Sequence, residues 1–109
     1  MNDDRLEDQV MLIIANAGAA RSEAFAALAL ARKKEFDGAA EGIKAAEQYA
    51  YLAHDAHNEL LKMDAKGELK QMDLLLSHAQ DHLMTATLAM ELIGEIILLR
   101  QELADNKIL

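Results

Sequence analysis

Apolar residues recur at steps of three and four along most of the chain, the spacing that places side chains on one side of a helix. Two breaks interrupt this pattern, at residues 33–38 and 63–68, and each combines charged residues with a glycine. We therefore predict helices over about residues 6–33, 38–64 and 70–104. Because short connections favour antiparallel neighbours, the predicted fold is all-α, an antiparallel up-down-up three-helix bundle.

The first two predicted helices each carry one apolar stripe. In the first helix the stripe consists of Leu6, Val10, Ile13, Ala17, Ala20, Ala24, Leu28 and Ala31. In the second helix it consists of Ile43, Ala46, Ala50, Ala53, His57 and Leu60. Asp37 precedes the second stripe, and its side chain is expected to cap that helix. One stripe per helix is enough for a shared core, so we predict a single domain over residues 1–109.

The third predicted helix differs because it carries two apolar stripes on different sides. The first, which we call the inner stripe, consists of Met72, Leu76, Leu83, Met90 and Ile97. The second, which we call the outer stripe, consists of Leu74, Leu88, Leu92 and Leu99. A three-helix monomer needs only one of these stripes. The outer stripe would face water unless another copy of the protein covered it, so we predict a homo-oligomer.

One acidic residue, Asp81, falls in the middle of the outer stripe, between Leu74 and Leu88. An isolated ionised carboxylate is costly in apolar surroundings. Asp81 is therefore expected to bind a cation, to be protonated or to pair with another group. If a symmetry axis ran along the outer stripe, several copies of Asp81 would converge there and share a metal ion. The alternative is an aspartate at the edge of the stripe that water reaches.

Composition narrows the classes of partner. The chain of 109 residues has no proline and no cysteine, and its formal net charge is −8. This charge argues against nucleic acids and anionic lipid surfaces, because both require clustered Lys and Arg. The lack of cysteine excludes disulfides, zinc–thiolate sites and thiol nucleophiles. The acidic start does not resemble a secretory signal, and no run of about twenty apolar residues is uninterrupted. We therefore expect a cytoplasmic protein without direct membrane insertion.

Two histidines, His78 and His82, lie one turn apart on the same side of the third predicted helix. Imidazole is a nucleophile near neutral pH and can hold a phosphoryl group on one ring nitrogen. Such a pair also fits a purely structural helical oligomer, or a metal-dependent enzyme that uses His78, Asp81 and His82. Against a zinc protease, the segment HAQDH has Ala where the HExxH motif has Glu. For the second pair, His54 and His57, we expect one packed and one exposed histidine, without an assigned role.

Two segments resemble a known family: residues 78–85, HAQDHLMT, and residues 16–22, NAGAARS. Both closely resemble the enzyme IIA proteins of the lactose/cellobiose/chitobiose class of the bacterial sugar phosphotransferase system. The string H-x-Q-D-H-L-M is highly specific for this class. The resemblance covers nearly the whole chain, including Phe36-Asp37, Ala53-His54 and the apolar tail over 95–102.

The resemblance implies a phosphocarrier. His78 matches the histidine whose Nε2 receives a phosphoryl group from the carrier protein HPr and gives it to a cysteine of enzyme IIB, which serves the membrane channel IIC. The resemblance also implies a homotrimer in which Asp81 matches an aspartate at the threefold axis. That aspartate holds a structural cation such as Mg²⁺, one per trimer, and no organic cofactor is implied. The transported sugar is expected to be a β-glucoside-type disaccharide. Its identity stays open, because the channel selects the sugar.

Gln80 is a further candidate for the site. If Asp81 points to the trimer axis, His78 lies about 60° to one side, towards a neighbouring subunit. The neighbour would present the flank that carries Gln80 and Met84. We therefore expect an intersubunit cleft in which a Gln80 amide from the next chain donates to the phosphoryl oxygens, while His82 supports His78 from within the same chain.

Overall fold

The fold consists of three long helices. The computed structural model describes residues 3–69 and 74–109, with α1 over Asp3–Arg32, α2 over Phe36–Ala65 and α3 over Leu74–Asp105. These described residues contain no strand. The predicted all-α class with three helices is confirmed. The observed helix bounds differ from the predicted ones by a few residues, and the predicted start of the third helix at Lys70 lies outside the described residues.

The core shows in which direction each helix runs. One cluster joins the N-terminal half of α1, the C-terminal half of α2 and the N-terminal half of α3 through Ile13, Met63 and Leu76. A second cluster joins the opposite halves and includes Ala31 and Ala39. Therefore α2 runs antiparallel to both of its neighbours, and the predicted up-down-up topology is confirmed.

Small side chains bring α1 and α2 close together. The buried alanines of these two helices are Ala17, Ala20, Ala24, Ala27, Ala31, Ala39, Ala46, Ala50, Ala53 and Ala56. A Cβ atom added at Gly42 would lie only 2.9 Å from the Cβ of Ala27, so this crossing needs a glycine. In contrast, α2 and α3 contact each other sparsely. A groove therefore runs between α2 and α3.

The same hydrogen-bonded turn ends α1 and α2. After α1, the backbone N–H of Glu35 donates to the carbonyl of Leu30 and that of Lys34 donates to Ala31, both at 2.9 Å. Lys34 has a positive φ of 64°, and Gly67 has a φ of 73° in the equivalent turn after α2. This pattern is the Schellman motif, which requires a left-handed residue just beyond the helix.

The start of α2 corrects the prediction for Asp37. The N-cap position is occupied by Glu35, without a side-chain capping bond, and Asp37 lies inside the first turn. The prediction was wrong because the compact turn after α1 starts the next helix two residues earlier, at Phe36 instead of residue 38. The Asp37 carboxylate still interacts favourably with the positive end of the helix dipole.

Of its two stripes, α3 buries the inner one and exposes the outer one. The buried residues of the inner stripe are Leu76, Leu83 and Ile97, whereas Met90 is half-buried and Met72 lies outside the described residues. The exposed fractions in the outer stripe are 87% for Leu74, 57% for Leu88, 55% for Leu92 and 53% for Leu99. A single three-helix unit therefore leaves the outer stripe uncovered, as predicted.

By length and composition, α1 and α3 are apolar enough to cross a membrane, over Arg5–Arg32 and Leu74–Asp105. Helices in the core of a bundle pass the same test. Here α1 lies between its two neighbours, with core residues along its whole length. The high hydropathy of α3 arises because this helix has two apolar stripes instead of one. Two charged residues, Asp81 and Glu91, interrupt its apolar sequence.

Candidate functional site

His78 and His82 lie in contact on α3. Their ring centroids are 4.6 Å apart, and the ring planes meet at 89°, an edge-to-face arrangement. The His78 side chain is exposed, whereas His82 is half-buried. Because both residues belong to one helix, their spacing alone sets the contact, as the sequence indicated. Their chemical role stays a prediction at this point.

The exposed His78 ring suits group transfer between proteins. A nucleophile that serves two macromolecules must project from the surface, so that a phosphorus atom held on another protein can approach in line. Contact with the His82 ring limits rotation of the His78 ring, while the His78 side chain stays exposed. The pair can therefore present one imidazole nitrogen in a defined direction.

Asp81 lies between His78 and His82 in the sequence, and its side chain is exposed on α3. No ion pair involves Asp81 within 3–69 and 74–109. The same part of the chain contains no group of three or more His, Cys, Asp or Glu side chains that could hold a metal ion. The arrangement of His78, Asp81 and His82 in one subunit therefore gives no support to the metal-dependent enzyme. A metal role for Asp81 depends on assembly and stays a prediction.

Gln80 points away from His78 into the groove between α2 and α3, because two residues along a helix correspond to about 200° of rotation. Its amide Nε2 lies 3.3 Å from Nε2 of His57. Both side chains are half-buried. An amide nitrogen can only donate, so this hydrogen bond requires a neutral imidazole that accepts at Nε2 and carries its proton on Nδ1.

The surroundings of His57 favour this neutral form. Burial lowers the pKa of His57, and the neighbouring His54 lowers it further. The groove around His57 has a volume of about 520 Å³ and is lined by His54, His57, Gln80, Asp81, Leu83, Met84, Thr87, Leu88 and Glu91. Since Leu88 belongs both to this groove and to the outer stripe, a subunit that covered the stripe would also approach the groove.

The contact between His57 and Gln80 is the part of the site that the sequence did not reveal. A signal was present, because His57 belongs to the apolar stripe of the second predicted helix, and buried polar groups are usually hydrogen-bonded. Its partner, however, is 23 residues away on another helix. The expectation of one packed and one exposed histidine agrees with the structure, in which His57 is half-buried and His54 is exposed.

Comparison with known proteins decides the family. Residues 8–101 match the family described as "PTS system, Lactose/Cellobiose specific IIA subunit". The chain belongs to this IIA family. The match includes every residue of the candidate site, from His54 to Glu91. As a IIA subunit, the chain is a phosphotransferase component of a sugar transport system.

Individual IIA relatives agree with the chain over most of its length. It is 41% identical over 100 residues to the N,N'-diacetylchitobiose-specific EIIA component of Escherichia coli (strain K12), an alignment that covers 92% of this chain and 86% of the relative. The cellobiose-specific enzyme IIA from Bacillus anthracis superposes with a TM-score of 0.89 at 36% identity, covering 96% of this chain and 95% of that one.

A third comparison bears on a partner. A IIA subunit solved in solution as the IIA(Chitobiose)–HPr complex of the Escherichia coli phosphotransferase system is 42% identical to this chain. The TM-score is 0.79, and the superposition covers 91% of this chain and 96% of the other. The IIA fold described above is therefore shared with a subunit that binds HPr.

Proposed function

We propose that this chain is a phosphocarrier in which His78 accepts a phosphoryl group from phospho-HPr and transfers it to a cysteine of enzyme IIB. The observation that carries the proposal is the exposed imidazole of His78, held edge-to-face against His82 on α3. Membership of the IIA family and the HPr complex of a relative support it. The chain has no cysteine, so the thiol acceptor belongs to another protein.

Each transfer is an in-line displacement at phosphorus. In the first, Nε2 of His78 attacks, a P–N bond to His78 forms, and the bond from phosphorus to the donor group of HPr breaks. In the second, the thiolate of enzyme IIB attacks, a P–S bond forms, and the bond to His78 breaks. In both steps the electron pair of the breaking bond stays with the leaving group, which in the second step is Nε2 of His78. This chemistry needs no organic cofactor.

The proposed working form is a homotrimer assembled on the outer stripe. All four leucines of that stripe are more than half exposed in the single subunit. Covering such a stripe removes apolar surface from water, which stabilises an assembly by about 25 cal/mol per Å². Because the outer stripe borders the α2–α3 groove at Leu88, the neighbouring subunit would close part of the site.

Assembly on this stripe would bring three Asp81 carboxylates near the trimer axis. Their mutual repulsion is costly unless a cation neutralises it, and carboxylate oxygens are the ligands that Mg²⁺ prefers. The exposed Asp81 side chain, which has no ion pair among the described residues, fits such a shared ion. We therefore propose one structural Mg²⁺ or similar cation per trimer. A chelator is expected to loosen the trimer without preventing phosphorylation of His78.

Two further side chains support His78 in this proposal. His82 orients the ring from the same subunit through the edge-to-face contact. Gln80 faces away from the His78 of its own chain, so its amide serves the neighbour's phosphohistidine. A donor N–H aimed at a phosphoryl oxygen forms a charge-assisted hydrogen bond, which is roughly twice as strong as a neutral one.

The remaining partners follow from this function. We propose a cytoplasmic location, with HPr as donor, enzyme IIB as acceptor and the membrane enzyme IIC as an indirect partner. Weak and brief complexes suit a relay, and the half-exposed Leu75 beside His78 offers a small apolar contact for them. The transported sugar is a β-glucoside-type disaccharide. The relatives named above are specific for N,N'-diacetylchitobiose and for cellobiose, so IIA subunits similar to this chain serve different sugars.

Intact-mass spectrometry tests the relay directly. The chain is incubated with phosphoenolpyruvate, enzyme I and HPr, and its mass is measured at neutral or alkaline pH. A gain of about 80 Da, labile in mild acid, is expected for the natural chain and for the control His54→Ala but not for His78→Ala. If a charged donor leaves all three masses unchanged, the relay is overturned in favour of a structural helical oligomer.

A further inference from the structure

We propose that His57 is a positioning residue that fixes the orientation of the Gln80 amide for phosphoryl transfer. The inference rests on the proposed function and assigns a role to a side chain on α2 that does not itself touch the phosphoryl group. Its basis is the 3.3 Å contact between the two Nε2 atoms.

The terminal amide of a glutamine has two different ends. One end donates through Nε2, the other accepts through Oε1, and rotation about the last side-chain bond exchanges them. A neutral imidazole that accepts at Nε2 can bind only the donor end. His57 therefore selects one of the two orientations of Gln80, in which Nε2 faces α2.

This orientation leaves a donor free. The amide nitrogen carries two hydrogens, and only one of them is directed at His57. The second N–H stays available in the α2–α3 groove, where a phosphoryl oxygen from the neighbouring subunit would meet it. With the opposite orientation, Oε1 would face His57, and the ring would have to carry its proton on Nε2 in order to donate to it.

The groove maintains the protonation state that this contact needs. His54 lies on the same helix, and Asp81 and Glu91 line the groove from α3. Burial together with His54 lowers the pKa of His57, so its ring is neutral at physiological pH. Being half-buried, His57 keeps its acceptor fixed while Gln80 remains accessible from the groove.

Rapid-quench measurement of phosphoryl transfer from phospho-HPr tests the role. His57→Leu removes the acceptor and is expected to slow transfer about fivefold, the factor expected for a hydrogen bond of about 1 kcal/mol. His57→Gln supplies an acceptor oxygen and is expected to restore the rate to within about twofold. Tyr51→Leu is the control, because this exposed residue of α2 lies outside the groove and leaves the hydrogen bond intact, and its rate should equal that of the natural chain.

A double-mutant cycle separates positioning from a general structural effect. In a Gln80→Ala background, His57→Leu is expected to cause no further loss of rate, because there is no amide left to orient. An equal loss in both backgrounds would overturn the inference. If the natural chain takes up phosphate normally and His57→Leu has its full rate, the positioning role fails while the phosphocarrier stands. If the natural chain takes up no phosphate, the phosphocarrier fails and the role of His57 fails with it.

NMR of the full chain provides a readout that does not depend on activity. Long-range correlations between ring protons and ring nitrogens, recorded at about pH 7.5, are expected to show His57 neutral with its proton on Nδ1. The same spectrum of Gln80→Ala should lose this preference. A His57 ring that carries its proton on Nε2 in the natural chain contradicts the proposal, since that nitrogen could not accept.

Discussion

Among single residues, the histidines of α2 and α3 differ in what they contact. His78 and His82 contact each other through the edge of one ring, whereas His57 contacts an amide. The first contact lies at the surface and leaves a nucleophilic nitrogen accessible. The second lies in a groove and requires a neutral ring. The chemical role of each histidine therefore depends on the groups that contact its ring and not on the residue type alone.

The neutral state of His57 predicts a dependence of stability on pH. Its pKa in the folded protein lies below the ordinary value of 6.5, because of burial and then His54. Well above pH 6.5 the ring is neutral in both folded and unfolded chains, and its contribution to stability is complete. As pH falls below 6.5, the unfolded chain binds the proton more readily, so the free energy of unfolding decreases.

Urea denaturation of the natural chain and of His57→Gln, between about pH 8 and about pH 5, measures this effect. The stability of the natural chain is expected to fall relative to the variant as pH decreases through the window below 6.5. A constant difference between the two chains across the range would contradict the prediction.

At the scale of the helices, close approach and turn geometry place specific demands on single positions. α1 and α2 cross at Gly42, and α1 ends with a lysine in a left-handed conformation. Neither demand follows from the helical period. Each nevertheless affects how α2 is placed, and α2 carries His57.

The helix crossing predicts opposite effects for two glycine substitutions. Gly42→Ala places a methyl group 2.9 Å from the Cβ of Ala27, which cannot move without its backbone, so a loss of about 2 kcal/mol is expected. Gly18→Ala, also within a helix, meets nothing within 4 Å and is expected to stabilise by about 0.5 kcal/mol. Thermal denaturation followed by circular dichroism shows whether each substitution raises or lowers the stability. If both substitutions changed the stability in the same direction, close packing at Gly42 would not explain the result.

The turn after α1 predicts a stabilising substitution. Lys34 has a φ of 64°, a conformation that costs a residue with a Cβ about 1 kcal/mol relative to glycine. Lys34→Gly is therefore expected to raise the free energy of unfolding by up to about 1 kcal/mol in urea titrations. Lys66→Gly is the matched control, because Lys66 has a φ of −86° and gains nothing from glycine. Equal changes in the free energy of unfolding at both positions would show that the left-handed conformation of Lys34 is not costly.

At the scale of the whole molecule, the main unsatisfied feature of a single subunit is the exposed apolar surface of the outer stripe. The stripe runs along α3 beside the α2–α3 groove and contains Asp81 at its centre. A monomer would keep four half-exposed leucines in water. The proposed trimer covers them and brings His78 and Gln80 of different subunits together.

Assembly on this stripe predicts that one charge disrupts the oligomer. Leu92→Glu buries an unpaired carboxylate in the proposed interface and is expected to weaken association more than about 100-fold, converting trimer to monomer. Tyr51→Glu is the control, since Tyr51 is 71% exposed on α2 and lies outside the stripe. Sedimentation velocity distinguishes the two species. A trimer that persists in Leu92→Glu places the interface elsewhere.

Much of the molecule was determined by the sequence itself, because the decisive interactions are local. A helical period needs only neighbouring residues, so the three helices, the two stripes of α3 and the shared side of His78 and His82 were all predictable. The short breaks also indicated the up-down-up order. The family resemblance was carried by a continuous string, residues 78–85, and is confirmed by the family match.

Only the tertiary structure decided the features that depend on how one helix faces another. The contact of His57 with Gln80 joins residues 23 positions apart, and it exists because α2 and α3 are rotated so that both side chains enter one groove. The start of α2 at Phe36 likewise depends on the compact turn after α1. Periodicity specifies which side of a helix is apolar. The relative rotation of two helices follows instead from the packing of particular side chains, such as Gly42 on Ala27.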